Sequence, residues 1–252
     1  MCTEFRRAVN AVIGVTMLKI SVGETDVLIL CGGLGTRFRQ VQDDIPKALA
    51  PIQGTPFIDL LLKDLVDQGF RRIILATGHL SSQLEQYVQL RRDAEYIISC
   101  EPKPMGTGGA IKLAEQHIRS DIFLILNGDS RILLGYKDMM NFHLHLKSDF
   151  TICLSNINDK SDFGSVCLND KKRIISFNEK NIINNSFANA GVYCVNKKLL
   201  NNIEKKKYFS IENYLIPNWL KTYKIFGYET NLKFYDIGTK DRYISYINMY
   251  KK

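Results

Sequence analysis

The chain has 252 residues, of which 45% are apolar and 24% are charged. This composition is typical of a globular protein and excludes a disordered, collagen-like or low-complexity chain. The formal net charge of +8 is uneven, because residues 1–130 carry 14 Lys and Arg against 15 Asp and Glu, whereas residues 131–252 carry 20 against 11. The excess lysines are scattered, so we expect a solvated basic surface and no nucleic-acid partner.

Cysteine usage and hydropathy indicate the compartment. The six cysteines form no CxxC pair, which favours reduced thiols in a cytoplasmic protein. No apolar run approaches the roughly 18 residues that a membrane span requires, so we expect no membrane association. The four histidines lack metal-ligand spacing. We interpret residues 1–25 as an N-terminal extension, in which Met17 is an alternative start.

Strands and helices alternate over the first half of the chain. Apolar runs predict strands at 26–31, 72–76, 96–100 and 122–126. Helical periodicity predicts helices at 56–68, 81–90 and 108–117. This order indicates βαβ units and a parallel sheet, in which ligands bind beyond the carboxyl ends of the strands. The loops expected at that edge are 32–37, 78–80, 101–107 and 127–129.

In the second half of the chain, the predicted strands are shorter and no longer alternate regularly with helices. Shorter strands are predicted at 149–155, 163–168, 173–177 and 189–195, with a turn at 169–172. Helix returns around 211–220, interrupted at Pro217, and again near the C-terminus. No linker rich in Pro, Gly or Ser separates the halves, so we expect mixed or antiparallel additions to the same sheet.

A glycine-rich loop follows the first strand, with the sequence Gly32-Gly33-Leu34-Gly35-Thr36-Arg37. Successive glycines expose backbone N–H groups to an anion, and Arg37 can bind phosphate oxygens. The loop does not fit the dinucleotide-binding fingerprint, because Phe38 stands where the third glycine is needed, and it lacks the GK[ST] of a P-loop. A tight structural turn is the alternative.

The loop is followed by Ile45-Pro46-Lys47-Ala48-Leu49-Ala50 and then by PIQGTPF at 51–57. Together these segments resemble the two-part signature of the sugar-phosphate nucleotidylyltransferases. Further segments resemble motifs of that family in the same order: EPKPMGTGGA at 101–110, NGD at 127–129, FGSV at 163–166, FNEK at 177–180, NAGVY at 189–193 and FYDIGT at 234–239. Phe234 stands where the family often has Trp.

The resemblance implies an α/β, Rossmann-like (GT-A-like) fold with a mostly parallel sheet flanked by helices. It implies one domain over 26–252, with a nucleotide-binding part (26–130) and a sugar-phosphate-binding part (131–252). The implied enzyme joins an NTP and a sugar 1-phosphate into an NDP-sugar and releases pyrophosphate. Its catalysis is positioning and charge neutralisation, because the attacking phosphate is already an anion.

The resemblance also assigns roles to individual residues. Arg37 and Lys47 are the catalytic cations, and Asp129 and Asp236 hold Mg²⁺. The implied nucleotide-binding residues are Gly32, Gly33, Gly35, Thr36, Gly106 and Thr107. The implied sugar-phosphate-binding residues are Gly164, Glu179, Lys180, Asn189 and Gly191.

Ordinary structural roles are the alternatives for these charged residues. Lys47 could be a solvated surface residue, Asp129 a turn residue and Asp236 a helix cap. Glu179 and Lys180 could form a surface ion pair. The complete charged set favours an active enzyme over a paralogue that binds nucleotide-sugar without turnover.

Within the family, the sequence looks most like the D-glycero-D-manno-heptose 1-phosphate guanylyltransferases, which implies GTP and a product for capsule, lipopolysaccharide or S-layer glycans. Mannose-1-phosphate guanylyltransferases are close relatives, and uridylyl, thymidylyl and cytidylyl transfer stay open. The absence of a C-terminal hexapeptide-repeat region argues against a bifunctional acetyltransferase. The sequence leaves open whether the chain forms a homo-oligomer.

Overall fold

The computed structural model describes residues 21–33, 44–156, 164–178, 186–203 and 208–250. In its first half, the elements are β1 (Asp26–Leu30), β2 (Pro51–Ile52), β3 (Thr55–Pro56), α1 (Phe57–Asp67), β4 (Arg72–Thr77), α2 (Ser81–Gln89), β5 (Glu95–Cys100), α3 (Gly106–Ala114) and β6 (Ile122–Asn127). Single-turn 3-10 helices lie at Val22–Glu24, Lys47–Leu49 and Glu115–His117.

The second half contains β7 (Ser130–Ile132), α4 (Tyr136–His145), β8 (Phe150–Ser155), β9 (Ser165–Leu168), β10 (Ile174–Asn178), β11 (Phe187–Asn196), α5 (Ile216–Trp219), β12 (Ile225–Thr230), β13 (Phe234–Asp236) and α6 (Lys240–Tyr250). A 3-10 helix lies at Lys197–Asn202, and a π-helical turn at Ile211–Leu215 leads into α5. Of the helices in the described ranges, none combines the length and the apolar character that crossing a bilayer requires.

One sheet joins the two halves. Within the described residues it has nine strands, and its main path runs β10-β9-β11-β6-β1-β4-β5. Strands β5, β4, β1 and β6 are parallel, whereas β11 runs antiparallel to β6. Strand β8 pairs with β11, and β12 pairs with β8. The predicted fold class, a mostly parallel sheet with antiparallel additions in the C-terminal half, is confirmed.

Apolar side chains cover both faces of the sheet, which explains the continuous apolar runs of the parallel strands. On one face, α1, α4 and α6 pack onto alternate residues of β1 and β4, such as Val27 and Ile73. On the other face, α3 and the segment around α5 cover Leu28 and Ile74. The result is a layered α/β arrangement, in which the loops at the carboxyl ends of the parallel strands are available to form a binding site.

Three of the larger elements differ from the predictions made from sequence, and the short strands β2, β3 and β7 were not predicted. Helix α4 was not predicted, although its buried residues stand at helical spacing (Tyr136, Met139, Met140 and His143). The predicted helix at 211–220 is a π-helical turn followed by the short helix α5. Strand β12 was not predicted either; it lies at the sheet edge as a parallel partner of β8.

Candidate active site

The ends of β1 and β6 bring two predicted loops together. Leu30 and Asn127 are paired neighbours at the carboxyl ends of these parallel strands. The backbone N–H of Gly128 donates to the carbonyl of Leu30 at 3.0 Å. The glycine-rich loop therefore begins beside the Asn-Gly-Asp segment, with Gly32 and Gly33 separated from β1 only by Cys31. Gly35, Thr36 and Arg37 lie outside the described residues.

Lys47 reaches this edge from the 3-10 turn that follows Pro46. Its neighbour Ala48 is buried and anchors the turn in the core. The Lys47 ammonium forms an ion pair with Oδ2 of Asp129, and both side chains keep about a quarter of their surface exposed (23% and 27%). Burial acts to raise the pKa of Asp129, but the ion pair with Lys47 outweighs it, so this pKa lies below its usual range.

Asp236 reaches the same place through a small two-stranded sheet. Strands β7 and β13 pair so that Asp236 lies opposite Ser130. The Ser130 hydroxyl oxygen lies 3.4 Å from Oδ1 of Asp129 and 3.3 Å from Oδ2 of Asp236. The backbone N–H of Ile237 also donates to the carbonyl of Asp129 at 2.9 Å. Two carboxylates distant in sequence thus face one hydroxyl group.

The neighbouring negative charge affects Asp236. Burial and the charge of Asp129 raise the pKa of Asp236, although Arg242 lies 3.0 Å from its Oδ1 and opposes that shift. The N–H of Gly238 donates to the same oxygen at 2.7 Å. A carboxylate held beside another carboxylate is stabilised by any further cation that joins them.

This donor set fits a divalent cation. Carboxylate oxygens are the ligands that Mg²⁺ prefers, and Mg²⁺ is usually held by one or two carboxylates together with substrate phosphates and water. In the described part of the chain, no cluster of three or more His, Cys, Asp or Glu side chains with metal-binding geometry occurs. The pair Asp129 and Asp236 therefore suits a metal that shares its ligands with a phosphorylated substrate.

Cys31 lies near Asp129, and its thiol is expected to be unreactive. Burial, with a smaller contribution from the charge of Asp129, raises the pKa of its thiol to about 12. A thiol that stays protonated at neutral pH is a poor nucleophile. The side chain packs against the core.

The segment at the start of α3 contains Gly106 and Thr107. Gly106 has a φ of +72°, and a Cβ there would lie 2.4 Å from the carbonyl oxygen of Phe209. The backbone of Phe209 bonds to this segment twice, from its N–H to the carbonyl of Met105 at 3.0 Å and from the N–H of Gly108 to its carbonyl at 3.1 Å. Glycine is therefore required at position 106 by both conformation and space.

The sugar-side residues meet at a bulge in β11. The register of β11 against β8 shifts between Asn189 and Tyr193, and Gly191 within this stretch has a φ of +71°. A Cβ at Gly191 would lie 2.7 Å from Nδ2 of Asn127. The N–H of Asn189 donates to the carbonyl of Gly164 at 3.0 Å. Gly164, Asn189 and Gly191 are thus neighbours, and bulges of this kind commonly redirect side chains at binding sites.

Glu179 and Lys180 lie outside the described residues. Strand β10 ends at Asn178, immediately before them, and pairs with β9. The described residues therefore include Gly32, Gly33, Lys47, Asp129 and Asp236 in one group and Gly164, Asn189 and Gly191 in a second, with Gly106 and Thr107 at the start of α3.

Sequence reasoning missed three polar residues of this region. Glu101 accepts a hydrogen bond at 3.0 Å from the N–H of Met105, and burial raises its pKa. Asn127 keeps its buried Oδ1 without a hydrogen-bond partner among the described residues. Glu212 bonds to Thr107 at 3.1 Å. Asn127 and Glu101 belong to recognised motifs and could have been singled out, whereas nothing in the sequence connects Glu212 to Thr107.

Comparison with known proteins identifies the family. The sequence model described as nucleotidyl transferase matches residues 26–252, nearly the whole chain. The chain belongs to the nucleotidyl transferase family. It is therefore a nucleotidyltransferase, and the resemblance drawn from the motifs is confirmed.

Two curated relatives and one solved structure are similar to this chain over most of its length. The chain is 34% identical over 219 residues to the D-glycero-alpha-D-manno-heptose 1-phosphate guanylyltransferase of Aneurinibacillus thermoaerophilus, covering 86% of this chain and 95% of that protein. It is 32% identical over 223 residues to the enzyme of the same name from Campylobacter jejuni, covering 87% and 97%. Among solved structures, HddC from Yersinia pseudotuberculosis complexed with GMP-PN is 32% identical, with a TM-score of 0.80 over 90% of this chain and 99% of that one.

Proposed function

We propose that this nucleotidyltransferase transfers GMP from GTP to D-glycero-D-manno-heptose 1-phosphate, giving a GDP-heptose and pyrophosphate. The observation that carries the proposal is the meeting of Lys47, Asp129 and Asp236 at the carboxyl edge of the sheet. A cation beside paired carboxylates suits a reaction between two phosphate groups. The guanylyl and heptose specificity is supported by the two relatives that carry those names, because the match to this chain covers nearly their whole length.

The chemistry requires alignment and charge neutralisation. An oxygen of the sugar phosphate attacks the α-phosphorus of GTP, and the bond from that phosphorus to the β-phosphate oxygen breaks in line, so that pyrophosphate leaves with its electron pair. The nucleophile is already anionic, so no strong general base is needed. In this proposal, Lys47 neutralises charge on the α-phosphate as the new bond forms, and Arg37 holds the departing pyrophosphate.

Asp129 and Asp236 would hold Mg²⁺ in this proposal. When bound, the ion would supply Lewis-acid neutralisation of phosphate oxygens. The Ser130 hydroxyl lies between the two carboxylates and can donate its proton to either one. Arg242 fixes the carboxylate of Asp236 from its other side. The site residues therefore orient the carboxylates before any ligand arrives, which lowers the cost of binding.

The two substrates occupy different parts of the edge in this proposal. Residues 26–130 supply the nucleotide side, in which the 32–36 loop holds the triphosphate, and Gly106 and Thr107 place the nucleoside. Residues 131–252 supply the sugar side. There, Lys180 binds the sugar phosphate, Glu179 contacts sugar hydroxyls, and Gly164, Asn189 and Gly191 line the pocket. Both parts form a single domain over 26–252, and residues 1–25 are an extension to it.

The cellular setting follows from the substrates. GTP and sugar phosphates are cytoplasmic metabolites, so we place the reaction there, and the thiols of the described cysteines are free. The nucleotide-sugar would supply the synthesis of capsule, lipopolysaccharide or S-layer glycans.

A pyrophosphate-release screen tests this proposal. GTP, ATP, UTP, CTP and dTTP are each combined with both anomers of the heptose, mannose and glucose 1-phosphates in the presence of Mg²⁺. We expect the highest kcat/KM for GTP with one anomer of the heptose 1-phosphate. A preference for mannose 1-phosphate or for another base would overturn the corresponding half of the specificity. Absence of turnover with every pair would contradict the proposed reaction and favour a protein that binds nucleotide-sugars without converting them.

A further inference from the structure

Glu212 contacts the segment proposed to place the nucleoside. Its Oε2 accepts hydrogen bonds from the hydroxyl of Thr107 at 3.1 Å and from that of Ser210 at 2.7 Å. The Thr107 hydroxyl in turn accepts from the N–H of Ile211 at 2.8 Å. These bonds fix the rotamer of Thr107, because its hydroxyl donates in one direction and accepts from the other.

The other carboxylate oxygen of Glu212 faces the strand proposed to line the sugar pocket. The Tyr193 hydroxyl donates to Oε1 at 3.4 Å and accepts from Nδ2 of Asn189 at 2.8 Å. The Oδ1 of Asn189 accepts from the N–H of Gly191 at 3.0 Å. Every donor in this row points toward the carboxylate, so each bond polarises the next in the same direction. Through this series of hydrogen bonds, the position of Glu212 determines the orientation of the Asn189 amide and supports the bulge at Gly191.

Only a carboxylate can receive all of these bonds. An ionised Glu accepts at both oxygens and has no proton to donate. A Gln side chain would present an NH₂ group to one of the two sides. If that group faced Tyr193, the Tyr193 hydroxyl would lose its acceptor at residue 212, and if it faced Thr107, the hydroxyls of Thr107 and Ser210 would lose theirs. The substitution also removes the negative charge that strengthens the bonds at both oxygens, so Glu212→Gln weakens both sides without changing the size of the residue.

We infer that Glu212 is a positioning residue that couples the nucleoside side of the site to its sugar side. This inference rests on the proposed function and adds a residue to which no motif assigned a role. Glu212 touches neither substrate in this account, and it acts through Thr107 on one side and through Tyr193 and Asn189 on the other. The arrangement gives the two subsites a common anchor across residues that are distant in sequence.

Steady-state kinetics with GTP and the heptose 1-phosphate test the inference on three variants. For Glu212→Gln we expect the KM of both substrates to rise about tenfold, the scale of losing a hydrogen bond to a charged acceptor, with a smaller fall in kcat. Tyr193→Phe removes only the sugar-side connection, so it should raise the KM of the sugar phosphate and leave that of GTP within about twofold. Asn213→Ala changes the next, exposed residue and should alter neither constant.

The result that overturns the inference is equally specific. Unchanged KM values in Glu212→Gln, or a fall in kcat alone, would contradict a coupling role. An equal rise of both KM values in Tyr193→Phe would contradict the separation into two sides, and it decides the matter even if Glu212→Gln fails to fold. A wild-type protein without turnover contradicts the proposed function itself, whereas an active wild type with unaltered variants contradicts this inference alone.

Discussion

Lys47 and Asp129, which are 82 positions apart in the sequence, form an ion pair at the carboxyl edge of the sheet. Each comes from a loop that the parallel strands bring to this edge. The charge of Lys47 also acts on a second carboxylate, Asp236. Burial and the charge of Asp129 raise the pKa of Asp236, and the charges of Arg242 and Lys47 oppose that rise. A cation so placed can exchange a protein carboxylate for a substrate phosphate.

Replacement of Lys47 by Ala should reduce kcat by a factor on the order of 10² or more, as expected when a charge partner of the transition state is lost. Pyrophosphate release under saturating substrates measures the effect. Lys63→Ala is the matched control, because Lys63 also pairs with an aspartate, Asp67, but on the exposed surface. Near-normal turnover in Lys47→Ala would rule out the catalytic role.

Asp129→Asn should raise the Mg²⁺ concentration that gives half-maximal activity by about tenfold or more, because an amide is a weaker ligand for a hard cation. Asp236→Asn should act in the same direction. A Mg²⁺ titration at fixed GTP measures both, with Asp67→Asn as a surface control. Metal titrations that coincide with the wild type would argue against the assignment of these residues as ligands.

Lys180→Ala should raise the KM of the sugar phosphate more than that of GTP, since a phosphate loses its charge partner on the sugar side only. The two KM values, each measured at saturation of the other substrate, provide the comparison. A larger effect on GTP would place Lys180 on the nucleotide side instead.

Acid should destabilise the fold through His143. Burial lowers the pKa of this histidine to about 4, and its ring contacts Thr151 and Asn196. The unfolded chain binds the proton near pH 6.5 while the folded chain does not, so stability is lost as pH falls from 6.5 toward 4. The free energy of unfolding should fall by about 2 kcal/mol between pH 7.5 and 5 from this residue.

Urea denaturation of the wild type and of His143→Gln at these two pH values isolates the effect. Gln does not titrate, so the variant should lose less stability on acidification than the wild type, whatever its stability at pH 7.5. Equal losses in the two proteins would show that His143 is not the group responsible.

Much of the fold could be predicted because the parallel strands are simple in sequence. Strands β1, β4 and β6 are nearly continuous apolar runs that end in glycine or polar residues. Helix α4 escaped prediction because two of the four residues on its buried face, Tyr136 and His143, are only partly apolar. The antiparallel pairing of β7 with β13 escaped because the two strands are distant in sequence and three-residue strands give too few alternating positions.

The roles of site residues could be predicted where a single sequence motif contains them. The contacts between distant segments could not be predicted. Asp129 and Asp236 were each predicted as metal ligands by a motif, and β7 pairing with β13 brings them to one hydroxyl group. The ion pair of Lys47 with Asp129 and the bond of Glu212 to Thr107 depend on tertiary packing. No local pattern encodes such contacts, so they could be found only in the structure.

Isotope tracing of a single product mixture tests the central claim most directly. Heptose 1-phosphate carrying ¹⁸O on its phosphate oxygens is incubated with GTP and Mg²⁺, and the products are analysed by mass spectrometry. We predict equal amounts of GDP-heptose and pyrophosphate, with all of the label in the GDP-heptose, because the sugar phosphate attacks the α-phosphorus through its own oxygen. Label in the pyrophosphate, or GDP and inorganic phosphate in place of these products, would contradict nucleotidyl transfer.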